Sequence, residues 1–348
     1  MKYYSTNKKA PMASLKRAVI KGLPGDQGLY MPETIDLLKD FVVGRMKNLS
    51  FQDIACVVAE ALFGDDVNNA ALERIVRGAL DFDAPVVHLH DNIYAQELFH
   101  GPTLTFKDVG ARFMAGLLRY FVEREGVKNI HVLVATSGGD TGAAVADAFA
   151  GMKGIRVFLL YPKDRLNTEG GFRFSAMGGN VTALEIDGGI NDCRRLVEEA
   201  FADEELNEHG KLTSANSVNV ACLLPQTFYY FYAYAQLDKL GKADELVISV
   251  PGTNLGNLTA GLAAYWMGLP VKRFISANEG GPLFPDSLQG AKEAEVPVNA
   301  PRLLDLFSIY PDPYRAIRKR IAGAAYTGAQ VGEAIRSAYG RCAYPLDP

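Results

Sequence analysis

The chain has 348 residues, 48% of them hydrophobic and 22% charged, and 36 Lys and Arg against 40 Asp and Glu leave a formal net charge of −4. That apolar content excludes disorder as the dominant state, and the weak acidity excludes the basic field of a nucleic-acid binder. A chain of this length can bury a full core without disulfides or structural metal, divided over roughly two domains.

Apolar spacing predicts helices over Leu15–Gly22, Phe51–Leu62 and Ala70–Leu80, with Pro24–Gly28 as a turn cluster after the first. Short strands follow at Pro85–Val87 and Ile93–Ala95, separated by Asp91-Asn92. His88 and His90 stand there at i, i+2, which puts both rings on one face of a strand. No third ligand lies near them in sequence, so they read as structural or surface residues. An apolar helical run covers Val109–Leu118.

From about residue 130 the pattern turns regular. Strand runs at Asn129–Ala135, Arg156–Tyr161, Val181–Ile186, Leu246–Val250 and Phe274–Ala277 are interspersed with helical runs at Thr141–Ala150, Cys193–Ala202 and Leu258–Met267. Such alternation implies an α/β fold, with parallel sheets flanked by helices. Residues 285–301 read as a loop, and Thr327–Tyr339 as a helix with Thr327 as N-cap and Gly340 as stop. His131, Trp266 and Phe228–Tyr234 read as packing residues, and Lys8-Lys9 and Arg318–Arg320 as solvated faces.

The four cysteines, Cys56, Cys193, Cys222 and Cys342, are widely spaced and form no CxxC pair. They read as free thiols of a reducing compartment. The N-terminal residues have no apolar core of a signal peptide. Two charge-free stretches, Leu212–Leu237 and Leu246–Val271, carry Pro225 and Pro251 and so read as buried strand–loop–helix units rather than membrane spans. The expectation is a cytoplasmic protein acting on a small molecule, with neither nucleic acid nor membrane as partner.

Ligands of α/β sheets bind where strand ends meet helix N-termini. Two Gly-rich loops stand in that context. Thr136, Ser137, Gly138, Gly139, Asp140 and Thr141 follow one strand; Gly252, Thr253, Asn254, Leu255, Gly256 and Asn257 follow another. Their backbone N–H groups suit anions, yet neither is a GxGxxG motif or a P-loop. A third feature is Lys107, next to Phe106 and ahead of an apolar helical run. It reads either as a surface lysine at a helix start or, where an apolar setting and a positive helix end lower its pKa, as a lysine suited to Schiff-base chemistry.

These features resemble the threonine synthase family. The resemblance rests on Tyr3–Asn7, Gly28–Pro32, Glu97–Arg112 with its Gly-Pro-Thr-Leu and Phe-Lys-Asp runs, Ala135–Ala146, Ser214–Asn219, Ser249–Gly261 and Leu269–Phe274. It implies a two-domain tryptophan-synthase-β-like fold (fold type II) and pyridoxal 5'-phosphate as cofactor. It makes Lys107 the Schiff-base lysine and residues 252–257 the cofactor's phosphate cradle. Residues 136–141 become the clamp for the substrate carboxylate. The implied reaction turns O-phospho-L-homoserine and water into L-threonine and phosphate, the last step of threonine biosynthesis, in a monomer or homodimer.

The same resemblance divides the chain into an N-terminal region of helices and short strands (1–95), a smaller domain with the lysine and carboxylate loop (96–215), and a portion of the large domain with the phosphate loop (216–348). The chain departs from the family pattern in places. It has an extra glycine in Ser137-Gly138-Gly139-Asp140, and Thr253 stands where the family has glycine. A family segment expected before Asn299 is missing, and the family pattern continues past Asp347-Pro348. These departures motivate two alternatives: a truncated or diverged non-catalytic relative, or a lyase acting on another phospho- or hydroxy-amino acid.

Overall fold

The computed structural model describes residues 1–137, 139–163, 177–252, 255–279 and 319–346. The loop expected at 285–301, and Gly138, Thr253, Asn254 and Arg318, lie outside the described residues. In chain order the elements are β1 (Lys2–Ser5), β2 (Ala13–Ser14), α1 (Leu15–Lys21), β3 (Tyr30–Pro32), α2 (Asp40–Val43), α3 (Phe51–Phe63), α4 (Asn69–Ala79), β4 (Val86–His90) and β5 (Ile93–Gln96). There follow α5 (Lys107–Glu125), β6 (Ile130–Ala135), α6 (Asp140–Phe149), β7 (Ile155–Pro162), β8 (Val181–Ile186), α7 (Ile190–Ala202), α8 (Glu204–His209), β9 (Lys211–Thr213), α9 (Val220–Leu223) and α10 (Thr227–Lys239). The last are β10 (Val247–Pro251), α11 (Gly256–Trp266), β11 (Arg273–Glu279), β12 (Ile321–Tyr326) and α12 (Gly328–Cys342).

Two compact units share these elements. The first comprises Met1–Asp36, Ser50–Ala84 and Leu98–Phe228; the second comprises Leu37–Leu49, Pro85–Glu97 and Tyr229–Pro348. The units are therefore interleaved along the chain, whereas the sequence reading sets out three contiguous segments.

The first unit holds a four-stranded parallel sheet of order β8-β7-β6-β9 and a small antiparallel sheet of order β2-β1-β3. Helix α5 lies at its centre. Phe113 packs at a tilt against Phe63 and edge-on against Phe228, with ring centroids 5.2 and 5.7 Å apart. Gly110 permits a close approach to α9, since a Cβ there would stand 2.5 Å from the Cys222 carbonyl oxygen. The helix begins before the predicted Val109 and runs beyond Leu118. Phe121 remains buried on the same side, and the helix ends where Gly126 takes φ +64°.

The second unit holds a parallel sheet of order β10-β11-β12 and the β4–β5 hairpin. Strand β11 continues past the predicted end at Ala277, because β12 pairs with it as far as Glu279. Thr327 caps α12, as the sequence implies, and Gln330 completes a capping box with it. Gly340 does not stop this helix. It continues to Cys342, and Ala343 in the left-handed region ends it, donating its N–H to the Tyr339 carbonyl. Arg320 is not a fully solvated residue: its guanidinium donates to the carbonyls of Val271 and Lys272 and lies over the Tyr265 ring.

Candidate active site

The loop before α5 is built around Asp108. Its carboxylate accepts from the Thr103 N–H at 2.9 Å and the Thr103 hydroxyl at 2.5 Å, and its own N–H donates to the Thr105 carbonyl at 3.1 Å. Gly101 lies flat against it, since a Cβ there would stand 2.3 Å from Asp108 Oδ2. Burial raises the Asp108 carboxyl above the usual range, and the Thr103 bonds work against that rise. Leu104 takes φ +61°, which turns the chain sharply just ahead of the helix. This loop delivers Lys107 to the first position of α5.

Lys107 is one-third exposed. Its ammonium lies 5.6 Å from the centre of the Phe106 ring and 3.8 Å from Asp140 Oδ2. Desolvation lowers its pKa below that of an ordinary lysine, and Asp140 opposes the effect. The structure thus brings together two features that are distant in sequence: the lysine and the loop at the carboxyl end of β6. In that loop Thr136 is buried and donates its N–H to the Leu160 carbonyl at 2.9 Å. Ser137 is exposed, and Gly139 precedes α6, whose first turn contains Asp140 and the half-buried Thr141. The N–H groups of such a first turn have no partner within the helix. They are disposed to bind an anion.

The second loop lies in the other unit. Gly252 takes φ +120°, a conformation that only glycine adopts without strain, and its N–H donates to the Ala277 carbonyl at 3.0 Å. Leu255 also sits in the left-handed region, at φ +57°, and turns the chain directly into α11 at Gly256. Asn257 is held by Tyr230, whose hydroxyl lies 2.6 Å from its Oδ1 and 2.9 Å from its carbonyl oxygen. Sequence reasoning placed Tyr230 in the core without giving it this role. The available signal was chemical: a buried tyrosine hydroxyl needs a partner, whereas a phenylalanine would not.

The histidines of β4 are engaged locally. A bulge between His88 and His90 interrupts strict alternation. Both rings bond Asp91, His88 at its carbonyl and His90 at its carboxylate. Among the described residues no cluster of His, Cys, Asp and Glu has the geometry to hold a metal ion. His131 packs edge-on against Phe158, with its pKa lowered by burial and by Arg156.

Comparison with known proteins decides the family. A family model described as threonine synthase N terminus matches residues 2–80, and one described as pyridoxal-phosphate dependent enzyme matches residues 81–348. Threonine synthase from Escherichia coli (strain K12) is 40% identical over 321 residues, which span 88% of this chain and 74% of that protein. The chain belongs to the threonine synthase family.

Solved structures agree. The crystal structure of threonine synthase from Escherichia coli matches with a TM-score of 0.87 at 34% identity, covering 100% of this chain and 82% of the other. That of PLP-bound threonine synthase from Brucella melitensis matches with a TM-score of 0.87 at 30% identity, covering 100% and 83%. The fold is accordingly the type II fold of pyridoxal-phosphate enzymes, and pyridoxal 5'-phosphate is the cofactor. The residues present suit it. A desolvated amine at Lys107 matches the aldehyde. The unencumbered backbone at Gly252, where a Cβ would meet nothing within 4 Å among the described residues, and the N-terminus of α11 suit a phosphate dianion.

Proposed function

We propose that this chain is catalytically competent as a lyase that converts O-phospho-L-homoserine and water into L-threonine and phosphate. Lys107 is the group that carries this reading: a largely buried amine whose desolvation favours the neutral, nucleophilic form. It is the Schiff-base lysine and, once released, the base and acid of the reaction.

The chemistry asks the protein for three things. Charged groups have to be held, protons have to be moved, and the leaving phosphate has to be stabilised. The first turn of α6, with Thr136, Ser137, Gly138, Gly139, Asp140 and Thr141 before or in it, holds the substrate carboxylate through backbone N–H groups and hydroxyls. Residues 252–257 hold the cofactor phosphate. Pyridoxal phosphate, when bound, supplies the electron sink for charge developing at the substrate Cα. Lys107 Nζ takes the proton from Cα and returns protons along the chain of the substrate as phosphate leaves Cγ and water adds at Cβ. Asp140 lies close enough to keep the protonated amine oriented between transfers.

The enzyme acts on a small molecule in the cytoplasm, as a monomer or homodimer, without nucleic acid or membrane. The four free thiols and the net charge of −4 support this placement. Among the described residues no helix is long and apolar enough to cross a membrane.

The test is spectroscopic and chemical. The purified protein with added pyridoxal phosphate gains a protein-bound aldehyde band that Lys107→Ala abolishes, and it releases phosphate from O-phospho-L-homoserine faster than from O-phosphoserine. A protein that gains no band and releases no phosphate overturns this reading.

A further inference from the structure

Asn278 is 6% exposed, and its Nδ2 has no hydrogen-bond partner among the described residues. Its Oδ1 accepts from the Ser276 hydroxyl at the long distance of 3.4 Å. A buried amide left half-bonded calls for an explanation. Its place in the second unit supplies one.

Phe274, Ser276 and Asn278 stand at i, i+2 and i+4 of β11 and share a face. Phe274 shows what that face looks at. It packs against Tyr230, and a Cβ on Gly261 of α11 would come within 2.9 Å of its ring. The face is therefore turned towards α11. Strands β10 and β11 are parallel, so the helix connecting them runs back against their direction. The helix N-terminus consequently lies towards the carboxyl end of β11. From Gly261 back to Gly256 the helix covers about 7.5 Å. From Phe274 on to Asn278 the strand covers about 13 Å. The strand thus outreaches the helix by roughly one turn. On this reckoning Asn278, on the same face as Phe274, stands level with the space in front of the α11 N-terminus. Gly252 lies beside this strand end, its N–H bonded to the carbonyl of the neighbouring Ala277.

We infer that Asn278 is a further ligand for the phosphate of the cofactor, with Nδ2 donating a hydrogen bond alongside the N–H groups at the N-terminus of α11. Asn278 uses a side chain where the helix uses main chain. It approaches from the sheet, so that a phosphate is met from two directions. This rests on the reading that residues 252–257 cradle the phosphate.

The experiment titrates the apo protein with pyridoxal 5'-phosphate and, separately, with pyridoxal, following the absorbance of the bound aldehyde. Asn278→Ala is expected to weaken binding of the phosphorylated aldehyde about tenfold, the loss of one hydrogen bond to a charged group. Binding of pyridoxal is expected to stay unchanged, which also reports that the variant is folded. Asn278→Asp, close in shape but anionic, is expected to weaken phosphate-dependent binding further than Asn278→Ala. A wild-type preference for the phosphorylated aldehyde that survives in both variants overturns the assignment of Asn278. Equal weakening of both aldehydes overturns it as well. A wild-type protein with no preference for the phosphorylated aldehyde overturns the phosphate loop itself, and this inference with it.

Discussion

Lys107 Nζ and Asp140 Oδ2 lie 3.8 Å apart, although one opens α5 and the other opens α6. Desolvation lowers the lysine pKa, and the aspartate pulls it back up. Asp140→Asn removes the opposing charge, so the lysine pKa is expected to fall further. The pH dependence of the Lys107 amine's reaction with pyridoxal phosphate reports this directly. The midpoint moves to lower pH in the variant, and a midpoint that stays or rises refutes the pairing.

Gly110 sits one turn into α5, against the Cys222 carbonyl. Alanine is intrinsically the better helix former by about 1 kcal/mol. The added methyl nonetheless meets backbone at 2.5 Å, and backbone cannot rotate away. Gly110→Ala is therefore expected to destabilise the fold by about 1–3 kcal/mol. Urea unfolding monitored by circular dichroism measures it. A variant as stable as the parent shows that α9 yields.

The buried Asp108 holds the loop ahead of Lys107 through Thr103. Asp108→Ala leaves the Thr103 N–H and hydroxyl without their acceptor, which costs about 2–4 kcal/mol by loss of two hydrogen bonds in a buried setting. Its folded-state pKa is raised. It thus contributes stability that is fully present below the unfolded carboxyl pKa of about 4 and is lost as pH rises through the folded value. Asp108→Asn removes that dependence, so the variant gains on the wild type as the pH is raised from about 4 to neutrality. Paired denaturation curves at the two pH values check the sign.

Asp26 titrates in the opposite sense. Burial alone would raise its pKa. The Ser5 hydroxyl and the N–H groups of Gly28, Ala10 and Lys9, at 2.6 to 3.1 Å, more than offset this and hold it below the usual range. Its contribution is present above the unfolded pKa and is lost as pH falls through the folded one, below about pH 4. Asp26→Ala is expected to cost about 1–3 kcal/mol at neutral pH and progressively less in acid. A penalty independent of pH contradicts the network.

Much of the architecture is legible in the residues themselves. The apolar runs at Ile130–Ala135 and Ile155–Pro162 form neighbouring parallel strands, and the loops after Ala135 and Pro251 lead into helices. Lys107 announces itself by its apolar neighbours, and the structure adds the aspartate beside it. Other features depend on partners that sequence spacing does not reveal. Strand β11 lengthens because β12 pairs with it, and α12 passes Gly340 because one glycine costs a helix only about 1 kcal/mol. The Tyr230–Asn257 contact joins residues on different helices, so no local pattern records it.

The interleaving of the two units has a consequence for synthesis. Residues 37–49 leave the ribosome long before residue 267, whose carbonyl accepts the Leu38 N–H at 2.8 Å. The hairpin of β4 and β5 likewise waits for Tyr229, whose carbonyl accepts from the Gln96 side chain. The second unit cannot close until most of the chain has been made, because its early segments find their partners only there. Cutting the gene at one point between the units does not yield two self-sufficient pieces, since each cut strands a segment away from its own core.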